Sequence, residues 1–236
     1  MAGTAVAVLA GGAFGMPAAI AAPVPTQAVS IPSGHPASGS VAPAPGEWWW
    51  TAMGVDELHA AGGTGNGMTV AVIDGPIDPT VPELRGRIAS TRSMCLDPDE
   101  LERPRSRPST AAGEEAEHAT SMASLIAGSG AGTGPGGRGI RGIAPQATIR
   151  HYAAMFEDAG TSTGRSCGIT FPDSNDVEEG IAAAIEAAAR DDADVISVSL
   201  VSGYSEKIVD ALLTAYREGA VVAGRAPRLH HRFQEP

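Results

Sequence analysis

A chain of 236 residues, 43% of them hydrophobic and with mean hydropathy near zero, is long enough to bury one sizeable core. Its net charge of −11 and pI near 4.9 weigh against nucleic acid and anionic membrane surfaces as partners. Lys207 is the sole lysine among 16 basic residues, so no lysine cluster points to phosphate binding.

In chain order, Ala5 to Ala21 is apolar, small and uncharged, and Ala19-Ile20-Ala21 offers a small-residue cleavage site. This reads as a secretory signal peptide over 1–21, too short and alanine-rich for a membrane span. It lacks a basic n-region, which places the expected start further upstream; the other reading is a buried alanine-rich segment. No later run reaches the roughly 18 apolar residues of a transmembrane helix. Residues 22–46 are rich in Pro, Ala, Ser and Val without any period, as expected of a linker. Trp48, Trp49 and Trp50 then open the folded region, and packing of its start is the reading preferred over a carbohydrate platform or an interface anchor.

Val55 to Ala61 predicts a short helix ended by Gly62-Gly63. Met68 and the run Val70 to Ile73 predict a strand buried on both faces, which ends on Asp74 before a Gly75-Pro76 turn. Ligands and catalytic groups collect at such carboxyl strand ends, although a lone aspartate there equally suits a turn. Ser90 to Glu117 is charged and aperiodic and is expected to be an exposed loop. Its acidic run Asp97, Asp99, Glu100, Glu102 lacks calcium-loop spacing, so a solvated face is preferred to a calcium site. His118 to Ala127 predicts a helix with Met122, Leu125 and Ile126 on one side, and the glycine-rich Ser129 to Gly142 a flexible connection.

Ala147 to Phe156 predicts a strand, and Asp176 to Arg190 an amphipathic helix burying Val177, Ile181, Ala184, Ile185 and Ala188. A strand over Asp194 to Leu200, a helix over Ser205 to Glu218 and a strand over Gly219 to Ala223 follow. These repeats specify an α/β fold, a parallel doubly wound sheet with helices on both faces. After Gly224 the character changes: residues 225–236 hold three of the 16 basic residues and two of the six histidines and do not continue the pattern. Two cysteines, Cys95 and Cys167, suit an exported protein with one disulfide, a pair of free buried thiols being the alternative.

Four motifs stand in order. Gly-Met-Thr-Val-Ala-Val-Ile-Asp74-Gly-Pro-Ile-Asp78 resembles the V-A-V-I-D-T-G-I-D aspartate motif of the subtilisin-like serine proteases. Glu117-His118-Ala119-Thr120-Ser121-Met122-Ala123 is similar to their H-G-T-H-V-A-G histidine motif. Gly142-Ile143-Ala144-Pro145-Gln146-Ala147 matches G-V-A-P-x-A, and Ala193-Asp194-Val195-Ile196-Ser197-Val198-Ser199-Leu200 resembles A-D-V-I-N-M-S-L. The resemblance covers about Trp48 to Ala223. It departs from the family at Gly75-Pro76, Ala119, Ser121 and Val201.

The resemblance implies an incomplete subtilisin-like peptidase domain over 47–224, with Asp74 as orienting carboxylate and His118 as general base. It makes Ser199, Leu200, Val201, Ser202 and Gly203 the substrate-binding edge, which would pair with an extended polypeptide. It also implies a secreted monomer that requires no cofactor, and leaves structural calcium, found in some relatives, as an open alternative. The nucleophile is the gap. The Asp–His–Ser order of the family places the serine roughly 160 residues after the base, and only 118 residues follow His118 (236 minus 118). No Gly-Thr-Ser-Met-Ala follows Leu200, and the family's oxyanion Asn is missing where Val221 to Gly224 runs into Arg225. Thr120-Ser121-Met122-Ala123 imitates the serine motif, but Ser121 shares a helix face with His118 and cannot approach it from a separate element.

The expectation is therefore a serine endopeptidase by family whose serine is missing from this chain. It would be inactive as it stands, through a truncated or frame-shifted reading. The alternative is a non-catalytic secreted peptide-binding pseudoprotease. A dinucleotide-binding α/β domain rests only on fold class and the glycine run.

Overall fold

The computed structural model describes residues 48–96, 105–157, 165–167, 176–200 and 202–224, all inside one compact unit spanning 42–236. The signal peptide, the linker, the acidic run from Asp97 to Glu102, Val201 and the 225–236 tail lie outside the described residues.

Two short helices, α1 (Trp48–Ala52) and α2 (Val55–Ala60), begin the described chain. Trp50 is buried and donates from its indole N–H to Asp56, whereas Trp48 is exposed, so only part of the tryptophan cluster packs. Then comes β1 (Thr69–Asp74), buried from Val70 onward. Val70 and Val72 join one apolar cluster and Ala71 and Ile73 another, because successive side chains of a strand face opposite ways. Each fully buried branched side chain contributes about 2 kcal/mol, so β1 is anchored from both sides.

β2 (Ile88–Ser93) follows, where an exposed loop was expected from Ser90. The sequence Ile-Ala-Ser-Thr-Arg-Ser is polar because β2 is an edge strand, paired on one side only and half open to solvent. α3 (Glu114–Ala127) starts one turn earlier than His118. Gly113 takes φ 72° before it, and Glu114, Glu115 and Glu117 place negative charge at the positive helix end. Its buried stripe is Ala116, Ala119, Ala123 and Ala127; Met122, Leu125 and Ile126 are only half-buried. Small side chains let the helix axis approach the sheet, which a Met-Leu-Ile face would hold off.

The glycine-rich stretch is a hairpin of β3 (Ser129–Ala131) and β4 (Arg138–Arg141), not a flexible connection. A Cβ on Gly128 would strike the Ile140 and Ser124 carbonyls, and one on Gly142 the Ile126 carbonyl. The glycines are there for close backbone approach. The chain past the hairpin then caps α3, through Ile143 and Ala144 N–H groups donating to the Leu125 and Ile126 carbonyls.

The rest alternates strand and helix: β5 (Thr148–Ala153), the small β6 (Phe156–Glu157) and β7 (Arg165–Ser166), α4 (Asp176–Arg190), β8 (Val195–Val198), α5 (Glu206–Arg217) and β9 (Val221–Gly224). The main sheet runs β2-β5-β1-β8-β9 with every pairing parallel. The α3 alanines pack with Val70, Val72 and Ile149 on one face. On the other, Val177, Ile181, Ala184, Ile185 and Ala188 of α4 pack with Ile73 and Ile196. This is the expected doubly wound arrangement. Cys95 and Cys167 are disulfide-bonded, joining the segment after β2 to that after β7.

Candidate active site

Asp74 is the last residue of the central strand, and its side chain is only 1% exposed. Oδ1 accepts from the Gly75 N–H at 2.7 Å and from His118 Nδ1 at 2.8 Å. The Asp74 carbonyl accepts from Ala154 N–H at 2.8 Å, so main chain and side chain are both fixed. Oδ2 is buried and has no hydrogen-bond partner among the described residues. Burial pushes the Asp74 carboxyl above its usual range, opposed by the hydrogen bonds from His118 and Gly75.

His118 sits one turn inside α3, with its side chain 60% exposed. An ionised carboxylate only accepts, so Nδ1 carries the proton and the neutral ring keeps its lone pair on Nε2, the nitrogen turned away from Asp74. A second link fixes the helix against the turn: the Asp78 N–H donates to Thr120 Oγ1 at 3.0 Å, two residues from His118. Ala119 is buried in the cluster beneath β1, which accommodates its methyl.

The pair opens on a cleft of about 240 Å³ lined by Gly75, Pro76, Met155, Glu157, Arg165, Ser199 and Leu200, with Glu114 and Glu115 at the helix start. Of the expected substrate edge, Ser199 and Leu200 reach this cleft. Ser202 and Gly203 line a separate apolar cavity between α4, α5 and β9, and Val201 is outside the described residues. Ser121 lines a third cavity with Asp78 and Glu83, whereas His118 lines the cleft at Asp74. No group of three or more His, Cys, Asp or Glu that could hold a metal is assembled among the described residues.

One residue of this site escaped the sequence reading. His151, buried in β5, lies beside Val72 in register and donates from Nε2 to the Gly75 carbonyl at 2.8 Å. Its sequence signal is weak: a histidine beside Arg150 in the strand expected from Ala147 to Phe156. Burial lowers its pKa to about 4, against a smaller opposite effect of the Gly75 hydrogen bond.

A carboxylate closing a buried parallel strand thus holds the imidazole of a helix across the strand end. The model of the subtilase family matches residues 65–225, and the chain belongs to that family. The minor extracellular protease Vpr of Bacillus subtilis (strain 168) is 27% identical over 151 residues, 63% of this chain and 16% of Vpr. Among solved structures, MycP1 from Mycobacterium smegmatis superposes with TM-score 0.51 at 20% identity, covering 75% of this chain and 44% of MycP1, which supports the fold. Fervidolysin from Fervidobacterium pennivorans shares 26% identity at TM-score 0.46 over 70% of this chain and 22% of its own. The chain thus spans less than half the length of each of these relatives.

Proposed function

We propose that this chain carries the carboxylate–imidazole half of a serine-type endopeptidase site acting on polypeptides outside the cell. The observation that carries the reading is the 2.8 Å contact of Asp74 Oδ1 with His118 Nδ1 at the floor of an open cleft. In such a site the free Nε2 removes the proton of an attacking serine hydroxyl, and the same imidazole then hands that proton to the leaving amine. Asp74 holds the productive tautomer and stabilises the imidazolium formed between the two steps. The serine and the oxyanion donors come from elements other than β1 and α3. Within the 236 residues neither the family's serine motif nor its A-A-G-N segment follows Leu200.

Export is supported by the apolar Ala5 to Ala21 segment, by the Cys95–Cys167 bridge and by the extracellular relative Vpr. Among the described residues no helix is long and apolar enough to cross a membrane.

Reading the nucleotide sequence past codon 224 in all frames tests the proposal. A Gly-Thr-Ser-Met-Ala segment there, expressed in continuity with this chain, should give peptide hydrolysis. His118→Ala should then lower kcat/KM by about 10⁴-fold or more. No such segment in any frame would reject the peptidase reading and leave a secreted peptide-binding module. That second reading is favoured by Ser199 and Leu200, which offer the end of β8 to an extended peptide inside the cleft. Calorimetric binding of a substrate peptide without cleavage would support it.

A further inference from the structure

Asp74 closes the β1 ladder, so the carbonyl of Gly75 has no neighbouring strand N–H to bond. A side chain supplies what the ladder cannot. His151 lies two register positions back from Asp74, on the strand beside it, and reaches forward to place Nε2 at 2.8 Å from the Gly75 oxygen. The carbonyl only accepts, so Nε2 carries the hydrogen and donates. The N–H of that same Gly75 donates to Asp74 Oδ1, the oxygen that also receives His118 Nδ1. One short residue therefore connects the two histidines: His151 to the Gly75 carbonyl, and the Gly75 N–H to the carboxylate that holds His118.

We propose that His151 is a positioning residue for this site. By holding the Gly75 peptide it keeps the Gly75 N–H on Asp74 Oδ1 and aims the carboxylate at His118. The inference rests on reading Asp74 and His118 as the working pair. It differs from treating His151 as ordinary core filling, because Nε2 is spent on the main chain of the very residue whose N–H holds the Asp74 carboxylate. Its Nδ1 is buried with no partner among the described residues. A side chain selected for volume alone would not leave a ring nitrogen unmatched in an apolar layer, where such a group is costly.

The test is proton NMR of the full chain labelled with ¹⁵N-histidine, reading the low-field Nδ1 proton of His118 that its bond to Asp74 produces. Asp74→Asn assigns the signal by removing or shifting it. Absence of that signal from the unsubstituted protein would overturn the reading of the pair itself, whatever its hydrolytic activity. With the signal present, His151→Leu should abolish it or move it upfield. His151→Gln, which retains an N–H donor for the Gly75 carbonyl, should keep it. Thermal unfolding establishes that each variant is folded, and His151→Met, which fills space without a donor, replaces Leu if Leu does not fold. A folded Leu or Met variant with an unmoved His118 signal, or a folded Gln variant without it, would overturn the proposal.

Discussion

The cleft has two sides of opposite construction. On one, Asp74, Gly75, Ala154 and His151 fix each other through hydrogen bonds and Thr120 holds the Asp78 N–H, with Ile73 and Val72 fully buried beneath. On the other, β8 gives way after Val198 to a segment whose Ser202 and Gly203 line an apolar cavity, beside the edge strand β9 and its 63% exposed Val221. The first side is self-sufficient, because central strands supply both its core and its polar partners. The second resembles a surface awaiting cover. The difference teaches that a buried polar pair can be fixed by a few central strands, whereas an edge strand leaves its apolar neighbours open.

The harshest way to break this contrast is to release the β6–β7 wall of the cleft. Cys95 and Cys167 are 72 residues apart, and closing that loop stabilises the fold by about 4 kcal/mol in the chain-entropy model. The double substitution to serine should lower denaturant-unfolding stability by about that amount. An effect below about 1 kcal/mol would show that β6 and β7 hold the cleft wall without the bridge.

Acid should act next, through the ordered side. His151 titrates near 4 when folded and near 6.5 when unfolded. Between these values the unfolded chain binds a proton that the folded chain refuses, so this contribution is complete above pH 6.5 and lost as pH falls towards 4. The full span is about 3 kcal/mol. Asp74 works in the opposite direction, because its raised pKa makes the folded state the better proton acceptor. Subtracting the stability curve of His151→Gln from that of the unsubstituted chain isolates the histidine. A difference curve flat from pH 7 to 4 would contradict its burial as a neutral ring.

Gly75→Ser should sharpen the ordered side. A Cβ there meets nothing closer than the Met155 carbonyl at 3.5 Å, an ordinary contact. The hydroxyl could serve the orphaned Oδ2 of Asp74, adding about 1 kcal/mol measured as a higher urea midpoint. The smallest effect belongs to the open side. Val221→Lys should change stability by less than about 0.5 kcal/mol in denaturant unfolding, as exposed edge-strand positions do.

Much of this was legible in the residues. The apolar run into Asp74, the α4 stripe and the strand–helix alternation specify a parallel doubly wound sheet, because period and burial coincide there. β2 was not legible, since an edge strand reading Ile-Ala-Ser-Thr-Arg-Ser has no apolar period to read. The inner face of α3 was misread for a related reason. Alanines carry little hydrophobic signal, yet they are what a closely packed helix requires. The hairpin of β3 and β4 looked like slack because glycine permits both looseness and tight approach, and only coordinates distinguish them. At the site, Asp74 and His118 were visible through motif and spacing. His151 was not, because its role depends on which strand neighbours β1 and in what register.

The carboxylate at the centre of the site also works against the protein that contains it. An ionised group sealed from water, with one oxygen unmatched, makes the native state less favourable at neutral pH than a neutral occupant of that position would. A descendant with no hydrolysis to perform would gain heat resistance by exchanging Asp74 for an apolar side chain of similar size, and random substitution would find that route readily. The acid is thus the first feature to fade in a lineage that keeps only the scaffold.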